Sequence, residues 1–295
     1  SNLEDWNLLA QYTTRLNGWH PGLRLGVAGY SRKDEQGGSV QFTVPLRPRL
    51  SHPPEFEFTT GLNFCRLRSW DTGDRPLRLR GEDGRQLSVY GSFSLNARGV
   101  LGGPQLLLVA EYAFDPAPRL NPEHPPIDYG RFYLRAQEDL RITPWLWVLF
   151  RGALGHVEGY APAQRRFELT EDDVSLEYDL IRLPQAGNIR GYNDLDLYAD
   201  DMAVLGVELF APVFAGIELG LFYDRGAAAD GLRSLAGGEN PWRSSFGPLL
   251  RYRVGDTIYL EFNFPLWVSD PYTADAEPGG PEWAFRWDFD ARIGF

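Results

Sequence analysis

The stretch Phe285-Arg286-Trp287-Asp288-Phe289-Asp290-Ala291-Arg292-Ile293-Gly294-Phe295 decides the fold. Its odd positions read Phe, Trp, Phe, Ala, Ile and Phe; its even positions read Arg, Asp, Asp, Arg and Gly. Successive side chains of a strand stand on opposite faces, so a period of two predicts a strand with one apolar face and one charged face. The segment is long enough to cross a bilayer as a tilted strand, for which roughly 9–11 residues suffice.

The preceding segments carry the same pattern. Ile258, Leu260, Phe262, Phe264 and Leu266 alternate with Tyr259, Glu261, Asn263 and Pro265. Ile217, Leu219, Leu221 and Tyr223 alternate with Glu218, Gly220, Phe222 and Asp224. Further back, Phe56, Phe58, Thr60, Leu62 and Phe64 alternate with Glu55, Glu57, Thr59, Gly61 and Asn63. About fourteen strands are predicted, within a range of roughly 12–16, with boundaries uncertain by about two to four residues. They lie near 5–16, 22–32, 38–48, 55–68, 86–98, 105–116, 128–142, 145–158, 173–183, 202–213, 216–226, 244–254, 257–267 and 285–295. Some links between them are very short, as at 213–216, and others long, as at 69–86 and 184–201. Short turns at one rim and long loops at the other belong to an outer-membrane barrel.

Composition narrows the classes. With 14% aromatic residues, 32 Gly and 22 Pro, the chain is rich in strand formers and in the residues that punctuate strands. A net charge of -11 disfavours a nucleic-acid partner, because phosphate binding needs a basic surface. The single cysteine, Cys65, excludes an intramolecular disulfide, and the four scattered histidines do not form a metal-ligand pattern. The acidic runs Glu171-Asp172-Asp173 and Asp194, Asp196, Asp200 and Asp201 read as solvated loop tips, with a hard cation as the sharper alternative. No nucleophile elbow, P-loop or metalloprotease motif is present, so no enzymatic activity and no cofactor are expected.

The polar, acidic start Ser1-Asn2-Leu3-Glu4-Asp5 shows no signal peptide, as in a mature or trimmed chain. The most apolar window, 203–222, contains Glu208, Glu218 and Pro212 and is too polar for a spanning helix. A membrane reading must therefore be a barrel. A soluble β-sandwich also alternates, but its strands average about five or six residues. Mixed charges on the polar faces suit a wet lumen, and aromatic residues at strand ends, such as Tyr252, Trp267 and Trp283, suit interfacial girdles. The expected fold is all-β: one transmembrane antiparallel barrel domain over 1–295.

One constellation carries more. The long loop holds Ile189-Arg190-Gly191-Tyr192; downstream come Glu208 in Gly-Val-Glu-Leu-Phe, then Phe222-Tyr223-Asp224-Arg225-Gly226. Glu208 and Asp224 fall on the polar phase of their strands. An inward loop would bring Arg190, with its planar donor fork, against one or both carboxylates.

In order and spacing these motifs resemble the C-terminal half of the BamA/TamA and two-partner-secretion transporter superfamily. The resemblance covers 173–295; residues 1–172 match in strand character alone. It implies that the long loop folds inward and makes a lumenal lock of Ile189, Arg190, Gly191, Tyr192, Glu208, Phe222, Asp224 and Gly226. It also implies an assembly signal at Phe289, Ile293 and Phe295. The loop then reads as a plug or latch, as an active gate, or as an ordinary surface loop. The family's POTRA modules do not fit ahead of a strand starting near Asp5, which implies a trimmed chain or a POTRA-less member.

The implied function is insertion or translocation of polypeptides at the bacterial outer membrane. The partners would be outer-membrane lipid, polypeptide clients and periplasmic or accessory subunits. The alternative is a passive pore lined by Glu261, Arg286, Asp288, Asp290 and Arg292, or an anchor for a surface complex.

Overall fold

The computed structural model describes residues 8–16, 22–31, 35–46, 55–68, 83–97, 102–116, 125–170, 186–192, 197–214, 216–236, 242–254, 258–269, 282–283 and 288–293. The first eight strands are β1 (Leu8–Arg15), β2 (Arg24–Ser31), β3 (Glu35–Pro45), β4 (Glu55–Leu67), β5 (Gly84–Asn96), β6 (Gly102–Phe114), β7 (Asp128–Thr143) and β8 (Leu146–Tyr160). Three short strands follow: β9 (Phe167–Thr170), β10 (Ala186–Asn188) and β11 (Leu197–Ala199). The wall resumes with β12 (Asp201–Phe214), β13 (Ile217–Ala229), β14 (Arg243–Val254) and β15 (Ile258–Asn263). Beyond them lie the two-residue β16 (Trp267–Val268) and β17 (Glu282–Trp283), then β18 (Asp288–Ile293). The described helical segments are one 3-10 turn, Ala163–Arg165, and the five-residue α1, Leu232–Ala236. Among the described residues no helix is long and apolar enough to cross a membrane, which says nothing of crossing by strands.

Thirteen strands form one antiparallel path, β1 to β8 in chain order, then β12, β13, β14, β15 and β18. Its neighbours are consecutive in the chain except at β8–β12 and β15–β18, where longer connections intervene, the up-and-down topology of a barrel wall. β1 and β18 end the path and are not paired with each other among the described residues. β8 pairs directly with β12 from His156↔Asp201 to Trp147↔Phe210. β8 and β12 are thus direct neighbours in the wall, and the strand expected at 173–183 lies outside the described residues.

The strand lengths suit a bilayer. β4, β5, β6 and β13 have 13 residues each, β12 has 14, β8 15 and β7 16. At about 3.3 Å per residue and a tilt near 45°, thirteen residues rise about 30 Å, the thickness of a hydrocarbon core. One rim is made of tight connections. Pro144-Trp145 joins β7 to β8, and the β12–β13 turn runs through Gly216, whose φ of 77° is a left-handed conformation that glycine adopts without penalty.

The two faces of the wall invert the rule for soluble proteins. Val207 and Leu209 on β12, Leu219 and Leu221 on β13, and Leu62 and Phe64 on β4 are all exposed. On the opposite phase, Glu208 of β12, Asp224 of β13, Asn63 of β4 and Ser88 of β5 are all buried. Leucine faces outward and carboxylates inward, which fits lipid outside and a packed polar lumen inside. The interior is not wholly polar: Tyr90, Tyr129, Tyr133, Phe167, Leu169 and Ile189 belong to one buried apolar cluster between the wall and the inserted loop.

The sequence reading of 257–267 as one strand meets an interruption. β15 stops at Asn263, yet Phe264 N donates to Pro248 O (3.0 Å) and Leu266 N to Phe246 O (3.0 Å). β16 then pairs with the same strand, β14, at Phe246↔Trp267 and Ser245↔Val268. Pro265 lacks an N–H and cannot donate to the ladder, so the regular pattern breaks there while the chain keeps its direction.

Candidate functional site

Residues 161–170, which follow β8, and residues 186–192 lie inside the lumen. β9 pairs parallel with β10 and antiparallel with β11, giving a three-stranded sheet inside the barrel. Small residues on the wall make room for it. A Cβ at Gly155 on β8 would lie 2.6 Å from the Phe167 ring, and one at Gly226 on β13 would lie 2.5 Å from Ile189 Cδ1. Ile189 is thereby sealed against β12 and β13, and the next residue is delivered to the carboxylates.

Arg190 is 2% exposed, and its guanidinium is almost fully engaged. Nε donates to Asp224 Oδ2 at 2.7 Å and Nη2 to Asp224 Oδ1 at 3.0 Å, a bidentate fork. Its backbone N donates to the same Oδ2 at 3.3 Å. Nη1 lies 2.9 Å from Glu208 Oε1, 3.6 Å from Glu261 Oε1 and 3.2 Å from Asn263 Oδ1. The guanidinium carbon stands 3.9 Å from the centroid of the buried Phe222 ring, a cation–π contact in a desolvated place. The loop thus presents one cation to three neighbouring inward-facing carboxylates from β12, β13 and β15.

Two further arginines complete the cluster. Arg151 Nη2 on β8 donates to Asp224 Oδ1 at 2.7 Å. Arg251 on β14 binds Glu208 and, through Nε at 2.7 Å, Glu261 Oε2. Three guanidinium groups therefore meet three carboxylates, and the formal charge of the cluster is zero. A buried charge is tolerated when paired and hydrogen-bonded on all sides, and costs several kcal/mol when it is not. Burial works against the charge on Arg190, while Asp224, Glu208 and Glu261 favour it more strongly, so its pKa is raised above the ordinary guanidinium value.

Gly191 and Tyr192 fix the turn. Gly191 has φ 86°, and a Cβ there would run into the Pro265 ring. Tyr192 OH donates to Ser244 O at 2.9 Å and accepts from Ser244 N at 3.1 Å, with Ser269 Oγ 3.2 Å away. The ring is buried, so its polar tip needs these partners.

All eight residues expected in the lock, Ile189, Arg190, Gly191, Tyr192, Glu208, Phe222, Asp224 and Gly226, meet at one place. Glu261, expected as a lumen charge, belongs to the same cluster. The register sets Asp290 opposite Glu261 and Asp288 opposite Asn263, and Arg292 opposite Tyr259. The side chains of Asp288, Phe289, Asp290, Arg292 and Ile293, and the whole of Arg286 and Phe295, lie outside the described residues, as do Glu171, Asp172, Asp173, Asp194 and Asp196. Asp201 is taken up by His156 Nδ1 (2.6 Å) and Gly231 N (2.9 Å). Sequence reasoning missed Arg151 and Arg251. Each is a charge on the inward phase of its strand, the signal that had marked Glu208 and Asp224.

The class defined by these features is an antiparallel barrel with an arginine-locked loop inside. No family model matches the chain, and no curated protein sequence does. Among solved structures it is similar to BamA from Haemophilus ducreyi lacking POTRA domains 1–3, at 12% identity and a TM-score of 0.52. That similarity covers 97% of this chain and 67% of the other. It is also similar to CdiB from Escherichia coli, at 14% identity and a TM-score of 0.53, over 97% of this chain and 49% of the other. The chain therefore spans about two thirds of the one and about half of the other. The fold implied by the resemblance of the motifs is the fold observed.

Proposed function

We propose that this chain is an outer-membrane barrel that takes part in inserting or translocating polypeptides, without catalysing a covalent reaction. The observation that carries this reading is the inward loop held by Arg190 on Asp224 and Glu208, in a barrel that shares its fold with BamA and CdiB. The anchoring of the loop engages six charged groups, five of them buried. A barrel that must keep the membrane sealed while handling long polymers needs a plug that is fixed at rest. The strands that end the wall, β1 and β18, supply the second part of the reading. A strand edge carries a row of hydrogen-bonding groups and templates a new strand, so a client β-segment can add there.

The test is crosslinking in native membranes. A photoreactive side chain placed along β1 or β18 should capture unfinished barrels or exported polypeptides. Capture of lipid alone at both edges, with the chain purifying only with copies of itself, would defeat the proposal and favour a pore or an anchor.

A further inference from the structure

The cluster around Arg190 is one end of the inserted loop; the other end is anchored too, on the opposite side of the lumen. The 3-10 turn Ala163–Arg165 is buried against β3, β4 and β5. Arg165 is 3% exposed and binds Glu35 of β3. Its Nε donates to Gln86 Oε1 of β5 at 3.2 Å, and its Nη2 lies 3.0 Å from Cys65 Sγ of β4. Beside it, Gln164 Nε2 donates to Arg68 O, just past β4, at 3.1 Å. Burial opposes its charge and Glu35 foremost restores it, so the Arg165 pKa is raised well above the ordinary value.

The two ends are mechanically continuous. Arg165 leads within two residues into β9, and β9 pairs with β10 at Glu168↔Ala186, Leu169↔Gly187 and Thr170↔Asn188. β10 leads within two residues to Arg190. Phe167 at the start of β9 stacks on Tyr133 of β7 with ring centroids 6.0 Å apart. A short hydrogen-bonded sheet thus runs from the β3–β5 wall to the β12–β15 wall. In the order of the wall, these two groups flank β1 on one side and β18 on the other.

We propose that residues 163–170 and 186–192, joined by the pairing of β9 with β10, form a cross-brace of the lumen, in which Arg165 on Glu35 is a second latch that sets how far the wall can open between β1 and β18. The brace fixes the separation of the two wall segments next to that seam. Widening the seam moves β3–β5 away from β12–β15, and one latch has to release. The Arg190 end holds three carboxylates; the Arg165 end holds one carboxylate, one amide and one thiol, so release falls at Arg165. Arg165 is here a positioning residue. The inference rests on the barrel reading above and adds the site of its regulation.

The experiment is single-molecule conductance of the purified full chain in planar phospholipid bilayers. Heat-modifiable migration in semi-native gels serves as the check on folding. The wild-type chain should be closed for most of the record. Glu35→Gln and Arg165→Ala should each raise the open probability at least tenfold while still migrating as folded barrels. The charge swap Glu35→Arg with Arg165→Glu should bring the closed state back, which a merely structural loss would not do. Should Arg165→Ala yield no folded protein, Arg165→Lys, which keeps the charge and loses the fork, is read in its place with a rise of about threefold. Folded variants with the wild-type record, or a charge swap that stays open, would overturn the second latch. Failure of the wild-type chain to capture clients would strike the proposed function and leave the latch standing.

Discussion

Removing the guanidinium of Arg190 is the sharpest perturbation of the site. Arg190→Ala deletes two hydrogen bonds to Asp224, the pair with Glu208 at 2.9 Å and the contact with Phe222, and changes the cluster from neutral to a charge of minus one. Breaking a buried pair costs roughly 3–5 kcal/mol. The lower end applies, because Arg151 still holds Asp224 and Arg251 still holds Glu208 and Glu261. About 3 kcal/mol is therefore expected. At about 2 °C per kcal/mol for a chain of this size, the folded band in semi-native gels should be lost about 6 °C lower than in the wild type. Asp224→Asn should cost more than Arg190→Ala, since it leaves two guanidinium groups facing each other with no carboxylate between them. A melting profile for Arg190→Ala within about 1 °C of wild type would refute the lock, whatever the loop's other contacts contribute.

The remaining predictions concern the turn, the lipid face and pH. Gly191→Ala should destabilise the barrel by at least about 1–2 kcal/mol from the positive φ alone, with the collision against Pro265 added, read by the same gel assay. Val207→Arg, on the outward face halfway along β12, should cost about 2–4 kcal/mol in a bilayer, measured as refolding yield into lipid vesicles. Tolerance of that arginine would count against lipid on this face. The contribution of Arg190 should not vary between pH 6 and about pH 10. Its folded pKa is raised, so its stabilisation is fully present below the ordinary guanidinium value, itself far above this window, and is lost only as pH rises through the folded value. Equal differences between wild type and Arg190→Ala in melting at pH 6 and pH 9 would bear this out.

The alternation of period two is a local property, so the sequence carried it in full. Thirteen of the predicted strands are the thirteen of the wall. The lock was legible for a related reason. The resemblance of the motifs implied the inward loop, and the inward phase of Glu208 and Asp224 made them the carboxylates that Arg190 could meet. Arg151 and Arg251 share that phase, but only the register of β8, β12, β13 and β14 sets them beside Asp224 and Glu208.

What the sequence determined by itself is the wall: strand number within its stated range, the inward and outward faces, and the class of residues that hold the loop. What only the tertiary structure decided is the path across the lumen. Arg165 and Glu35 are 130 residues apart and belong to no motif. Their pairing exists because the closing wall brings β3 to face the loop that follows β8. Contacts of that kind depend on curvature and register summed over many strands, and a local pattern holds neither.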